Sequence, residues 1–187
     1  MSALRIYSAT DEKSYQEFFE FADIEERLGN IGIKFERWNP KYKITKTASP
    51  EDILQAYTEQ VSQIISAYGF KSVDVINMNS SIAPESVQSI RNKFLAEHTH
   101  SDDEVRYFIE GAGLFCIHHL NSVYQILCKA GDFIAVPAMT KHWFDMGAQP
   151  DFKCIRFFSD QSGWVAQYTG DSLAERYPLI EDFNNDI

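Results

Sequence analysis

The sequence is poor in basic charge and in cysteine, and it has no long apolar run. Against 27 acidic residues stand 17 basic ones, a formal charge of −10, which repels nucleic acid phosphates and anionic lipid headgroups alike. Neither nucleic acid nor membrane is therefore expected as a partner. Nowhere do about 18 apolar residues follow one another, and the amino-terminal MSALRIYSATDEKSYQEFF has no basic segment leading into an apolar core. These absences set the expectation of a cytoplasmic protein. The three cysteines, Cys116, Cys128 and Cys154, lack CxxC spacing and sit in apolar surroundings such as LFCIH and YQILCKA. They read as buried free thiols rather than ligands or nucleophiles. No internal repeat, low-complexity tract or Pro/Gly-rich linker divides the chain, and 187 residues fit one domain, 1–187.

What is present changes texture near residue 94. The first half mixes helices and strands. Ser49-Pro50-Glu51-Asp52 has the form of a helix start, with Ser49 as N-cap, proline in the first helical position and acids in the first turn. Ile53, Tyr57, Val61, Ile64 and Tyr68 follow at helical spacing, and Gly69 is a natural stop, so one amphipathic helix is expected. A second helix begins near Pro84, with Val87, Ile90 and Phe94 on its apolar side. From Glu104 onward short apolar runs alternate with Gly111, Gly113, Asn121-Ser122, Gly131-Asp132, Pro137 and Gly147. This predicts strands near 104–110, 114–120, 123–128, 132–136, 141–145 and 152–158. Joined by earlier strands around 34–38 and 73–76, they close into a small barrel or jelly roll, which removes exposed edges and leaves a mouth for a ligand. The fold class is mainly β with flanking helices: N-terminal elements packed on a barrel core of about 94–160, then a C-terminal lid and tail. The acidic end, EDFNNDI, reads as a solvated, frayed tail.

One stretch carries chemistry: EHTHSDDEVRYF, residues 97–108. In an extended segment side chains two apart project the same way, so His98 and His100 point together. Glu104 keeps their parity, and a short turn at 101–103 brings its carboxylate back to the two imidazoles. Two neutral nitrogens and one anionic oxygen converging on a point suit a metal. Read alone, an HxH pair is equally a solvent-facing strand segment. Arg106 shares the parity of Glu104, and an arginine inside an apolar barrel needs an anion; a salt bridge at the rim is the alternative. Arg156, flanked by Ile155 and Phe157, reads either as a second interior charge or as a surface one. His118 and His119 are adjacent and face opposite sides of a strand, which suits surface or supporting roles.

The order of residues beyond this stretch resembles the cupin superfamily. After Glu104, six residues lead to Gly111; Gly131, five residues, Pro137 and then His142 follow. In that superfamily the first motif supplies two histidines and a glutamate and the second a third histidine. Asn92 and Met139 stand where the pattern has glycine, and Met146 where it has asparagine; a positive-φ turn at Met139 is sterically costly for a side chain. Longer strings resemble one family within it. FERW, FLAEHTHSDDEVRYFIEGAGLF, GDFIAVPAMTKHWFDMG and GWVAQYTGD are similar to the corresponding segments of the acireductone dioxygenases, over nearly the whole chain.

That resemblance implies a cupin-type double-stranded β-helix, a jelly-roll barrel. It implies one Fe2+ or Ni2+ per chain on His98, His100, Glu104 and His142, and a monomer acting on a small-molecule substrate and O2. The substrate implied is 1,2-dihydroxy-3-keto-5-methylthiopentene, an acireductone of methionine salvage, with Arg106 catalytic and in contact with it. Phe94, Phe144 and Trp164 then surround the thioether tail, and Arg156 is a further candidate for substrate contact. Three imidazoles and one carboxylate suit a borderline divalent ion better than calcium or magnesium, and an octahedral arrangement leaves two positions for exchangeable ligands. Two other readings share these ligands: a cupin isomerase or decarboxylase that consumes no oxygen, and a non-catalytic cupin that binds metal or a small molecule.

Overall fold

The computed structural model describes residues 1–159 and 165–185. The elements run β1 (Ala3–Ser8), β2 (Asp11–Phe18), α1 (Phe21–Gly29), β3 (Lys34–Arg37), α2 (Pro50–Ala56), α3 (Thr58–Tyr68), β4 (Ser72–Met78) and α4 (Pro84–Leu95). They continue with β5 (His98–Thr99), β6 (Glu104–Glu110), β7 (Ala112–His119), β8 (Ser122–Lys129), β9 (Asp132–Val136), β10 (Lys141–Asp145), β11 (Phe152–Phe158), β12 (Gln167–Tyr168), a 3-10 turn (Leu173–Arg176) and α5 (Ile180–Asn185). Among the described residues no helix is long and apolar enough to cross a membrane.

Two antiparallel sheets form the body: one of seven strands in the order β12-β5-β10-β7-β8-β1-β2, the other of five in the order β3-β9-β6-β11-β4. Alternation decides what each strand gives to which layer. On β6 Phe108 joins the buried cluster between the sheets, together with Phe115, Ile126, Phe144 and Phe152. Val105, Tyr107 and Ile109, one residue out of phase, pack outward under Ile53, Tyr57, Val61 and Ile64 of the α2–α3 region. The outer face of the larger sheet offers Tyr7, Leu114, Cys116 and Trp143 to the C-terminal segment. The chain is thus layered helix, sheet, sheet, tail, and the strands of the second half were legible from their punctuation. All three cysteines are buried and free.

The helix start at Ser49 is as the residues predict: its hydroxyl accepts from Asp52 N at 3.1 Å while the Asp52 side chain accepts from Ser49 N at 3.1 Å. Gly69 closes the run in the left-handed region at φ 76°. The single helix expected between them is instead two. Tyr57 leaves helical geometry at φ −100°, ψ 15°, and the Thr58 hydroxyl donates to the carbonyls of Leu54 and Gln55, at 3.0 and 2.8 Å. A hydroxyl that competes for helix carbonyls favours a break. The β1–β2 hairpin and α1 had no specific sequence reading.

The tail is a second correction. Phe183 is fully buried and lies against the Arg5 guanidinium, 4.0 Å from its ring centroid. Glu181 accepts from Arg91 Nη2 at 2.6 Å and from Ala148 N at 2.7 Å. The acidic composition of EDFNNDI concealed an anchor, because the aromatic residue in it, Phe183, faces the sheet. Residues 186–187, and Trp164 further upstream, lie outside the described residues.

Two backbone positions bear on the interior. A Cβ at Gly113 would fall 2.3 Å from Phe144 Cζ, so glycine is what lets that ring close onto β7. Met139 adopts φ 62° with its side chain in solvent, so the turn before His142 forms in spite of its side chain, and Met139 N donates to His100 O at 2.8 Å. Phe183→Ala is expected to cost about 3–5 kcal/mol in urea unfolding; a loss under about 1 kcal/mol would restore the frayed-tail reading. Gly113→Ala is expected to cost about 1–3 kcal/mol through the forced movement of Phe144, measured in the same way.

Candidate metal centre

The ligand-spaced residues meet. His98 on β5, His100 just beyond it, Glu104 at the start of β6 and His142 on β10 bring their donor atoms within 4.8 Å of one another. Register does this: His98 pairs directly with His142 across β5 and β10, and the turn at 101–103 returns the chain to Glu104. Two caps hold that turn. Asp103 Oδ1 accepts from Ala138 N at 2.8 Å, and Asp102 Oδ2 accepts from Ser159 N at 2.9 Å.

Hydrogen bonds behind the rings choose which nitrogen faces inward. His98 Nδ1 donates to Ala96 O at 2.7 Å and His142 Nδ1 to Thr140 O at 2.8 Å, which leaves Nε2 of each free to ligate. Burial, with the neighbouring His142 ring, pushes the His98 pKa down to about 4, so that ring is neutral at pH 7. Glu104 Oε2 lies 2.9 Å from His142 Nε2 and 3.1 Å from His100 Nε2. Three imidazoles and one carboxylate oxygen gathered within 4.8 Å are nitrogen and oxygen donors of the kind a borderline divalent ion takes. The donor set therefore fits a divalent metal on chemical grounds.

Arg106 completes the charge arrangement. It is buried, its Nε donates to Glu104 Oε1 at 2.7 Å, and its Nη2 lies 2.5 Å from the same oxygen as an ion pair. Burial alone would raise the Glu104 carboxyl; Arg106 and the two imidazoles outweigh it and hold the group well below the usual carboxylate range. One carboxylate oxygen thus serves the arginine and the other the histidines. Arg106 Nη1 is buried with no hydrogen-bond partner among the described residues. The rings of Phe144, Phe115 and Phe94 surround the guanidinium at 5.1, 5.6 and 5.9 Å.

A cavity of about 230 Å3 opens over these groups, lined by His98, His100, Glu104 and Arg106 at one side and by Phe94, Phe144, Phe158 and Tyr168 elsewhere. Phe94 and Phe144 meet edge to face at 6.1 Å. Arg156 also lines it, but its Nε donates to Asp74 Oδ1 at 2.7 Å, so its charge is matched from β4. His119 does not line the cavity; His118 faces the outer side of the sheet, where Nδ1 donates to Glu97 Oε2 at 2.7 Å. Sequence reasoning did not single out Lys93, Asp103, Phe158 or Tyr168, which also line the cavity. Tyr168 had the weakest signal, since it lies on a two-residue strand with no periodicity to read.

Known proteins resemble this chain over its length. A model described as the ARD/ARD′ family matches residues 4–166. The chain is 46% identical to the acireductone dioxygenase of Aquifex aeolicus over 99% of its own length and 100% of that protein. It is 44% identical to the acireductone dioxygenase of Yersinia enterocolitica, over 97% and 100%. A solved acireductone dioxygenase from Bacillus anthracis, with a cadmium ion in its active centre, superposes at a TM-score of 0.75 and 25% identity, covering 90% of this chain and 98% of that one. The barrel is accordingly of the cupin type, and with sequence, length and fold in agreement this chain belongs to the ARD/ARD′ family.

Proposed function

We propose that the chain is a metal-dependent dioxygenase that cleaves 1,2-dihydroxy-3-keto-5-methylthiopentene with O2, as the names of its relatives suggest. In the iron form the products are 4-methylthio-2-oxobutanoate and formate; in the nickel form they are 3-methylthiopropionate, formate and carbon monoxide. The observation that carries this reading is a buried carboxylate shared between imidazoles and an arginine at one side of a largely apolar cavity.

His98, His100, Glu104 and His142 would hold one Fe2+ or Ni2+, which when bound supplies Lewis acidity and a template for the enediol oxygens. The remaining work falls to the chain. Arg106 is held to Glu104 by the Nε hydrogen bond and the ion pair and retains Nη1 for an anionic substrate oxygen. A charge-assisted hydrogen bond from that nitrogen offsets the cost of taking an enediolate out of water and keeps its electron density available to dioxygen. Phe94 and Phe144 present ring faces and edges to the methylthio tail, a contact sulfur favours. Their bulk also excludes water from the reacting carbons. Arg156, already paired with Asp74, contributes a polar wall. Trp164 is assigned to the substrate cover from the family resemblance alone.

Arg106→Ala is expected to lower turnover about 10- to 150-fold, the equivalent of about 1.5–3 kcal/mol for one charge-assisted hydrogen bond, with metal content retained. Loss of metal together with turnover would make Arg106 a support of Glu104 instead. Stripped protein reloaded separately with iron or nickel and assayed under controlled oxygen should give carbon monoxide only in the nickel sample. Identical products from both would end the dual-product reading but not the dioxygenase one; turnover without oxygen uptake would overturn the dioxygenase reading.

A further inference from the structure

β5 is two residues long, yet it bears His98 and leads directly to His100. It meets β10 through a single residue pair, His98 with His142, and β12 through two, Thr99 with Gln167 and His98 with Tyr168. Strands in globular proteins run about 3–10 residues, and one this short gains little from its ladder. The reinforcement lies on the opposite face of the sheet. Glu97 immediately precedes His98 and points the other way, with its side chain fully buried. Its Oε2 accepts from His118 Nδ1 at 2.7 Å, and its Oε1 accepts from Thr169 Oγ1 at 2.9 Å and lies 4.0 Å from Lys141 Nζ. Its backbone oxygen accepts from Thr169 N at 3.0 Å.

Each of these partners neighbours something in the site. Lys141 precedes His142, Thr169 follows Tyr168, and His118 pairs in register with Lys141. The Tyr168 ring stands edge-on to the His98 ring, centroids 5.9 Å apart, and lines the cavity. Burying a carboxylate costs several kcal/mol unless it is paired, and here the pairing spans β12, β5, β10 and β7. We infer that Glu97 is a positioning residue: from the outer face its carboxylate fixes β5 and β12 against β10, so that metal retention and substrate affinity both depend on a group that touches neither. This rests on His98 and His100 being metal ligands.

Thr169 is exposed and valine matches its shape, so Thr169→Val removes the hydroxyl's 2.9 Å bond to Glu97 Oε1, with its longer contacts at 3.4 Å to Glu97 O and 3.2 Å from Asp171 N, at little threat to folding. Wild type, Thr169→Val, Thr169→Ser, His118→Leu and Glu97→Gln are loaded with nickel and transferred to excess chelator, and KM and kcat are measured for each. Glu97→Gln and His118→Leu are expected to shed nickel about tenfold faster, the lower end of what outer partners of metal ligands cost. Thr169→Val is expected to raise KM about fivefold, as for one hydrogen bond, with kcat unchanged, while Thr169→Ser stays at wild-type values. Should Glu97→Gln not fold, His118→Leu and Thr169→Val decide. Nickel retention and KM at wild-type values in those variants would overturn the inference. Failure of wild type itself to take up nickel would instead overturn the metal centre on which the inference rests.

Discussion

A guanidinium gripping one oxygen of a carboxylate inside an apolar barrel is the constraint to which the rest of the site conforms. Removing one partner of such a buried pair costs about 3–5 kcal/mol. Glu104 Oε1 faces Arg106, and Oε2 faces the imidazoles of His100 and His142. The aromatic rings around Arg106 both shield the pair from water and shape the cavity above it. Charge and pocket walls therefore meet at one pairing on alternate residues of β6, while strand register, through His98 opposite His142, brings the donor atoms together.

The two sheet faces divide the labour. Inward positions of β5, β6 and β10 carry donors, whereas outward positions of the same strands carry the packing and polar ties that keep those strands in register. Asp145 illustrates the outward kind. It accepts from Arg91 Nε at 2.7 Å, Gly147 N at 2.9 Å and Ile180 N at 2.9 Å, joining α4, β10 and α5. Through Arg91 the helix that bears Phe94 is locked to the strand that bears His142 and Phe144. The C-terminal segment, docked by Phe183 and Glu181, is part of that lock.

Much of this was legible in the sequence because strand parity is a local rule. His98, His100, Glu104 and Arg106 follow from counting by twos, and the six later strands follow from turn residues between apolar runs. His142 needed a family likeness, since nothing local ties a residue on β10 to one on β5. The break at Tyr57 escaped because a single threonine hydroxyl outweighed an unbroken apolar stripe. The docked tail escaped because composition averages over residues, and Phe183 acts alone. Glu97 and Tyr168 escaped for a different reason: their importance lies in which strands they join, and pairing between two-residue strands leaves no periodic trace.

Diffraction from nickel-loaded protein, with the anomalous signal used to locate the metal, tests the central claim most directly. One nickel per chain is expected, bonded to Nε2 of His98, His100 and His142 and to Glu104 Oε2, with Arg106 still on Oε1. Nickel bound through Nδ1 of His98 or His142, through a cysteine thiol, or away from Glu104 would contradict that claim.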